Sequence, residues 1–459
     1  MTEFKYSIDS DGVAIISWDV PNKTMNVMSL EGLKELDKHF DAALSDDRVK
    51  GIIVTSGKRD FAGGMDLNVL ADMKTAQGEN PAQGLFNGIM QIHKLLRKIE
   101  LAGMDPKTKK GAKPVAAAIN GTAAGIGLEL PLACHRIFAI DNEKSKIALP
   151  EILVGIFPGD GGTTRLVRKL GAMNAAPFLL EGKMLSPAKM KLAGVIDELT
   201  EESDLLSRAK AWVLDATDAD CIKPWDDKSY KMPGGGPYHP NGYMTFAGAS
   251  VMVNSKTQGA FPAAKTLLSA VYEGAQVPFE TALKIEARWF TKILMNPSSE
   301  SMIRSLFINK EALEKGAVRP KDIPNQKVEK IGILGAGMMG AGISYVSALA
   351  GIKVVLLDMK KEDAQKGKTH AENLLNIGLK RKKIDEKKKS AVLDLICPTT
   401  KFEDLKDCDL IVEAVFEDPA VKAEVTKKAE AIIDKNCISV SYTHLRAHET
   451  KAHLGCPRL

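Results

Sequence analysis

The sequence predicts an α/β protein of more than one unit, and three observations predict it. Short apolar runs such as Gly51–Ser56 (GIIVTS) and Pro114–Asn120 (PVAAAIN) recur along the chain, as strands covered on both faces do. Most of them run into glycine-bearing turns followed by segments of helical spacing, which is the strand–turn–helix rhythm of α/β folds. The chain is also 459 residues long. At roughly 150 residues per domain, that length favours two or three cores over one.

Composition narrows the class further. A hydrophobic fraction of 44% and a charged fraction of 26% are those of a globular protein. No apolar run approaches the roughly 20 residues that a membrane-spanning helix needs. The first nine residues carry neither an apolar signal core nor an Arg-rich amphipathic pattern, so cytoplasmic residence is expected. A net charge of +5 suits an anionic substrate or cofactor and is far too small for a dedicated nucleic-acid binder. The basic run Leu379–Lys389 has no interleaved aromatic residue and reads as a solvated face. The six cysteines are scattered with no C-x-x-C spacing, which fits incidental thiols in a reducing compartment.

Residues 12–20 (GVAIISWDV) alternate as a strand and turn at Pro21-Asn22, and Leu30–Leu44 has helical spacing. Gly51–Ser56 and Pro114–Asn120 follow as buried strands, each leading into a loop that holds glycines, and Ile137–Ile140 and Leu149–Phe157 continue the theme. The texture changes between Asp218 and about Phe261, where MPGGGPYHPNGYM (Met232–Met244) reads as a long surface loop. Phe279–Leu294 returns to helical spacing through Phe279, Leu283, Glu286, Phe290 and Ile293, and Asn296-Pro297 stops it. A further helix to about Lys315 and a hinge over Pro320–Lys327 complete what reads as a helical connector.

The most chemically suggestive stretch is Ile119–Gly162, which places Glu129 and Glu151 around the turn Gly125-Ile126-Gly127 and the tighter turn Pro158-Gly159-Asp160-Gly161-Gly162. Two carboxyls beside an apolar pocket divide acid and base work, because burial and mutual repulsion separate their pKa values. Upstream, Phe61–Leu67 (FAGGMDL) carries another glycine pair that exposes backbone amides. Two main-chain donors, one at a helix N-terminus, are what an enolate or thioester oxyanion requires. The plainer alternative is that both glutamates are ordinary exposed acids.

These residues resemble the crotonase (enoyl-CoA hydratase/isomerase) superfamily. FAGGMDL looks like its first oxyanion loop, INGTAAGIGLE its second, and LPEILVGIFPGDGGTTRL (Leu149–Leu166) the segment with its second catalytic glutamate. EGKMLSPAKMKLAGVIDEL (Glu181–Leu199) is similar to the run after the active site. The resemblance implies a crotonase-like ββα superhelix, oxyanion donors at Met65 and Ile126, catalytic acids at Glu129 and Glu151, and a coenzyme A thioester as substrate. The implied reaction is hydration of a 2-enoyl thioester, with 3-enoyl to 2-enoyl isomerisation open to the same acids. The family has glycine where Ile126 stands, which implies a narrower pocket.

The second constellation begins at Val328–Leu334 (VEKIGIL), a strand leading into Gly335-Ala336-Gly337-Met338-Met339-Gly340 and an apolar helix. Lys353–Asp358 (KVVLLD) is a second strand ending in an acid, 18 residues beyond Gly340. The glycines allow a tight turn and a close approach of pyrophosphate to the helix N-terminus. Asp358 can accept hydrogen bonds from ribose hydroxyls and repel a 2′-phosphate, which favours NAD over NADP. Asp409–Glu413 (DLIVE) supplies a further strand of this Rossmann-type, doubly wound unit.

This part resembles the NAD-binding domain of the 3-hydroxyacyl-CoA dehydrogenases, which implies cofactor contacts at Gly335, Gly337, Met339, Gly340, Asp358, Ala414, Val415, Phe416, Glu417 and Lys422. The order of the two parts is similar to the α-subunit of the fatty-acid β-oxidation complex. That implies an acyl-CoA substrate and a thiolase β-subunit as partner of the full-length assembly. The expected organisation is a crotonase-like domain over 1–275, a helical linker over 276–322, an incomplete NAD domain over 323–440 and a tail over 441–459 that the family does not share. Ser441 and Thr443 keep two residues of the family's next turn, whereas Tyr442 and His444 replace others. The tail is expected to be foreign to a shortened coding sequence, leaving NAD affinity without hydroxyacyl oxidation. His444, His448, His453 and Cys456 mimic ligand spacing, but no metal is expected there. Two other readings remain: another crotonase-type thioester enzyme (a hydrolase or decarboxylase), and a non-catalytic NAD-binding or scaffolding polypeptide.

Overall fold

The computed structural model describes residues 2–66, 69, 80–323, 326–381 and 384–442. It divides into two compact units, Met1–Val318 and Arg319–Leu459.

The first unit is built on a six-stranded sheet formed by β1 (Phe4–Ile8), β2 (Val13–Trp18), β3 (Gly51–Ser56), β4 (Val115–Ile119), β6 (Arg136–Ile140) and β8 (Glu198–Thr200), in that spatial order. The β1–β2 pair is antiparallel and every later pair parallel. The buried run GIIVTS explains its own position through the two-residue period of a strand. Ile52 and Val54 join the main core with Val115, Ala117 and Ile119. Ile53 faces the other way with Ala116, Ala118 and Phe138, against Leu205, Ala209 and Val213 of the Leu205–Asp215 helix. A second, two-stranded parallel sheet pairs β5 (Ala123–Ala124) with β7 (Ile147–Ala148) and sets the glycine turn at 125 beside the loop that leads to Glu151.

Two expectations change on this frame. Only the first part of Met232–Met244 is loop, because His239 caps a helix over Pro240–Thr257 with its ring nitrogen on the Asn241 N–H. Proline at the first helical position starts that helix; its missing N–H costs nothing there. The helix Phe279–Leu294, expected as a connector, is folded into the first unit. Its Ala287, Phe290, Ile293 and Leu294 are part of the main core. The tail from residue 443 lies outside the described residues.

In the second unit, β9 (Lys330–Leu334), β10 (Lys353–Leu357), β11 (Ile396–Thr399), β12 (Leu410–Glu413) and β13 (Ile438–Ser441) form one fully parallel sheet in the order β11-β10-β9-β12-β13. Chain order reverses between β9 and β12. In open α/β sheets, ligands bind outside the carboxyl ends of the strands at such a reversal. Buried residues of β9, β10 and β12 pack on both faces of the sheet, with Ala371 and Leu375 on one side and Val425 and Ala429 on the other.

Candidate functional site

Two glycine turns of the first unit lie side by side. Ala124 N–H donates to Ala62 O at 2.9 Å, and an added Cβ on Gly125 would sit 3.4 Å from the Gly64 Cα. Gly64 (φ +118°) and Gly125 (φ +57°) both occupy backbone regions that favour glycine. The residues that follow them are Met65 and Ile126. Met28 brackets Met65, donating to Gly64 O and accepting from Asp66 N–H, so the Met65 N–H is passed over. Ile126 opens the helix Ile126–Ala133, where an N–H has no partner within its own helix. Among the described residues, neither N–H donates a hydrogen bond within the protein.

The carboxyls converge on the same place. Glu129, in the first turn of that helix, is 2% exposed. Its Oε1 accepts from the Asp160 N–H at 3.0 Å and the Gly162 N–H at 2.8 Å. Glu151 opens a short 3-10 turn, and its Oε1 lies 3.1 Å from where a Gly125 Cβ would be. Among the described residues, Glu151 Oε2 is shielded from solvent yet has no hydrogen-bond partner.

Burial pushes the Glu151 carboxyl up to about 8, with the charge of Asp160 adding to it. Glu129 is raised well above the usual carboxyl range by burial first, then by the charges of Asp160, Glu151 and Glu286. Burial also pushes Asp160 up to about 7. Such a crowd of buried carboxyls cannot all ionise near neutrality. They hold protons in common and titrate as a group, which suits proton transfer.

Asp160 and Glu286 were not among the expected site residues. Asp160 sits inside the turn singled out from the sequence. Glu286 announced itself only as one acid on an otherwise apolar helical stripe, a position where an unpaired charge is costly. His93, buried and bonded to Gly159 O at 2.6 Å, gave no sequence signal.

In the second unit the turn 335–340 stands where the topology requires. Gly335 (φ +97°) donates to Leu357 O at 2.8 Å and follows β9 directly. A Cβ on Gly340 would lie 1.8 Å from Gly335 O, so helix and turn pack too closely for any side chain there. A Cβ on Gly337 would meet nothing within 4 Å. That open space lies at the N-terminus of the helix Met338–Leu349, the cradle a pyrophosphate fills. Asp358 follows β10 directly, with Oδ2 accepting from Ala336 N–H and Oδ1 from Met359 N–H, both at 2.7 Å. Met339 and Phe416 are exposed. Ala414 donates to Leu334 O, which holds the 414–417 loop against the glycine turn. Lys422 pairs with Glu417 at 3.0 Å and Glu413 at 3.4 Å. The residues present fit a dinucleotide.

Residues 9–219 match the family described as Enoyl-CoA hydratase/isomerase. Residues 330–450 match the 3-hydroxyacyl-CoA dehydrogenase NAD binding domain. The first match lies within the first unit and the second within the second unit. The second match runs past Ser441, where the resemblance read from the sequence stops. Similar curated proteins include the fatty acid oxidation complex subunit alpha of Shewanella halifaxensis, 32% identical over 96% of this chain and 60% of that protein. The protein of the same name from Shewanella putrefaciens is 31% identical over 96% of this chain and 60% of its own length. This chain thus spans about three-fifths of the relatives it matches. Among solved structures, the human mitochondrial delta3-delta2-enoyl-CoA isomerase is 19% identical, covering 69% of this chain and 100% of that one, with a TM-score of 0.46. Among the described residues no helix is long and apolar enough to cross a membrane, and no group of three or more His, Cys, Asp or Glu side chains could hold a metal ion.

Proposed function

We propose that the first unit hydrates 2-enoyl-CoA thioesters to 3-hydroxyacyl-CoA and also interconverts 3-enoyl and 2-enoyl thioesters. The observation that carries this reading is the meeting of two unbonded amides, Met65 and Ile126, with the buried carboxyl of Glu129 and the half-buried Glu151, whose Oε2 is shielded. The thioester oxygen accepts from both amides, and the C2–C3 double bond is thereby polarised. One carboxylate takes a proton from water as its oxygen bonds to C3, and the electron pair moves onto the thioester as an enolate. The other carboxyl returns a proton to C2, and the carbonyl re-forms. Each amide of such a pair contributes about 3 kcal/mol to the transition state, and each proton-transfer group about 10²–10⁴ in rate. Moving a proton from C4 to C2 uses the same groups without water.

The second unit is read as binding NAD. Gly335, Gly337 and Gly340 would carry the pyrophosphate, Asp358 the adenosine ribose, and Met339, Ala414 to Glu417 and Lys422 the rest. When bound, NAD supplies hydride acceptance; the protein's part is to orient the cofactor and select it by the Asp358 charge. The name shared by the relatives, fatty acid oxidation complex subunit alpha, supports a role in fatty-acid β-oxidation within a multi-subunit complex, and the same reading takes thiolase as the partner and the cytoplasm as the site. Retention of both glutamates weighs against a hydrolase or decarboxylase.

The test is loss of the crotonyl-CoA double-bond absorbance, repeated with NAD present. Wild type should hydrate the thioester, while Glu129→Gln and Glu151→Gln should each be slower by orders of magnitude. A chain that binds NAD but never hydrates crotonyl-CoA is a scaffold, and the proposal fails.

A further inference from the structure

The turn that holds Glu129 is itself gripped from its other side. The amides of residues 160, 161, 162 and 164 divide between two carboxylates. Asp160 and Gly162 donate to Glu129 Oε1. Gly161 donates to Glu286 Oε1 at 2.6 Å, and the Thr164 N–H donates to Glu286 Oε2 at 2.7 Å, joined by the Thr164 hydroxyl at 2.5 Å. Glu286 is 1% exposed and comes from the helix Phe279–Leu294, far along the chain. The same helix presses Phe290 against Gly159 so closely that a Cβ there would lie 2.2 Å from the ring. Phe290 also meets Phe157 edge-on, with ring centres 5.5 Å apart. His93, from the helix Pro81–Leu101, closes the grip by donating from Nε2 to Gly159 O.

A buried carboxylate that only filled space would be replaceable by an apolar side chain, often at a gain in stability. Glu286 instead satisfies three donors of one turn whose remaining amides fix the candidate catalytic acid. We propose that Glu286 is a positioning residue for the hydration reaction: it locks the 158–164 turn so that Glu129 is aimed. This rests on the hydratase reading of the site.

The groups facing Glu286 and Glu129 are Asp160 on the turn, Glu151 on the short 3-10 helix, His93, and the Arg165 guanidinium on the helix Gly162–Leu170. Glu286 is pushed up to about 7 by burial, with the Thr164 and Gly161 donors and Arg165 opposing. Its charge is one of those raising Glu129.

The experiment compares wild type, Glu286→Gln, Glu286→Asp and Thr164→Val in the full chain, for crotonyl-CoA kcat, KM and pH profile. Glu286→Gln should lower kcat by about 10–100-fold, since a misplaced group of this kind costs up to about 10²-fold, and leave KM within about twofold. Its pH profile should move toward lower pH by about half a unit or more, because a negative charge near Glu129 is gone. Glu286→Asp keeps the charge and should recover the wild-type profile with a partly lowered kcat. Thr164→Val keeps the carboxyl but weakens its ionised form, so a smaller shift in the same direction is expected even if Glu286→Gln does not fold. Unchanged kcat and profile in Glu286→Gln overturn the proposal, as do equal losses in the Gln and Asp variants with no profile shift. If wild type shows no hydration, the hydratase reading is what fails. The ionisation of Glu129, followed by carboxyl ¹³C NMR and assigned with Glu129→Gln, still decides the inference: an unmoved midpoint in Glu286→Gln and Thr164→Val overturns it.

Discussion

Two glycine turns, each opening a helix, direct their amides to opposite ends. In the first unit, the amides of Asp160, Gly161, Gly162 and Thr164 are consumed by side-chain carboxylates of the protein itself, Glu129 and Glu286. In the second unit, a Cβ on Gly337 would meet nothing within 4 Å, while the Gly335 N–H is taken by Leu357 O and the Ala336 N–H by Asp358. Both turns exploit the same physics, the unpaired N–H groups and positive end of a helix. Where carboxylates of the chain take most of the turn, as at Glu129 and Glu286, the turn is a mount for the proposed catalytic acid. Where the amide end stays open, as at Gly337, the turn suits the proposed role of receptor for a foreign anion. The identity of a glycine turn therefore lies in which carboxylates the rest of the fold brings to it.

Reciprocal substitutions give the largest effects. A Cβ at Gly162 would lie 2.5 Å from Glu129 Oε1. Gly162→Ala should displace that carboxyl and lower crotonyl-CoA hydration by about 10²-fold or more, while NAD affinity stays unchanged. Gly340→Ala should do the reverse, abolishing measurable NAD binding by calorimetry and leaving hydration intact. If either substitution crosses over and damages the other function, the two turns are not independent devices.

A smaller effect is expected at Asp358. Asp358→Ala should weaken NAD by about tenfold, the loss of one or two charge-assisted hydrogen bonds, and narrow the preference over NADP. An undiminished NAD preference would show that the ribose is read elsewhere.

The smallest effect concerns stability. Glu151, Asp160 and Glu286 have folded-state values of about 8, 7 and 7, above their ordinary 4.5, 3.8 and 4.5. The folded state therefore binds more protons than the unfolded one up to about pH 8, and stability falls as pH rises. His93 and His135, pushed down from 6.5 to about 4 by burial, act in the opposite sense only below pH 6.5. Thermal unfolding of the first unit should therefore occur at a lower temperature at pH 8 than at pH 6.5, and Glu286→Gln should flatten that slope. A midpoint that rises over this interval would contradict the proton inventory of the site.

The strands were legible where burial leaves a pattern: GIIVTS, PVAAAIN, VEKIGIL and KVVLLD all form strands within a residue or two. The helix Phe279–Leu294 was read to its ends, yet its place in the first core was not, because an apolar stripe says that a helix is covered and not by what. Glu286 shows the limit most clearly. It stood on that stripe, but its three donors lie more than a hundred residues away in sequence, and only folding brings them together. The short pair β5–β7 and the strand Ile396–Thr399, with Pro398 inside it, had no periodic signal to offer. The residues expected at both sites were placed from glycine turns, because such turns constrain the backbone locally. Asp160 was in view but unassigned, since its acidity depends on burial among other carboxyls.

The central claim separates two roles, amides that polarise and acids that move protons, and one measurement addresses both. A 3-arylacryloyl-CoA thioester absorbs at longer wavelength when its carbonyl oxygen is held by hydrogen-bond donors. Bound to wild type, Glu129→Gln and Glu151→Gln, it should show the same red shift in all three, while only wild type hydrates a 2-enoyl thioester at an appreciable rate. No red shift on wild type, or equal hydration by all three proteins, would contradict the account.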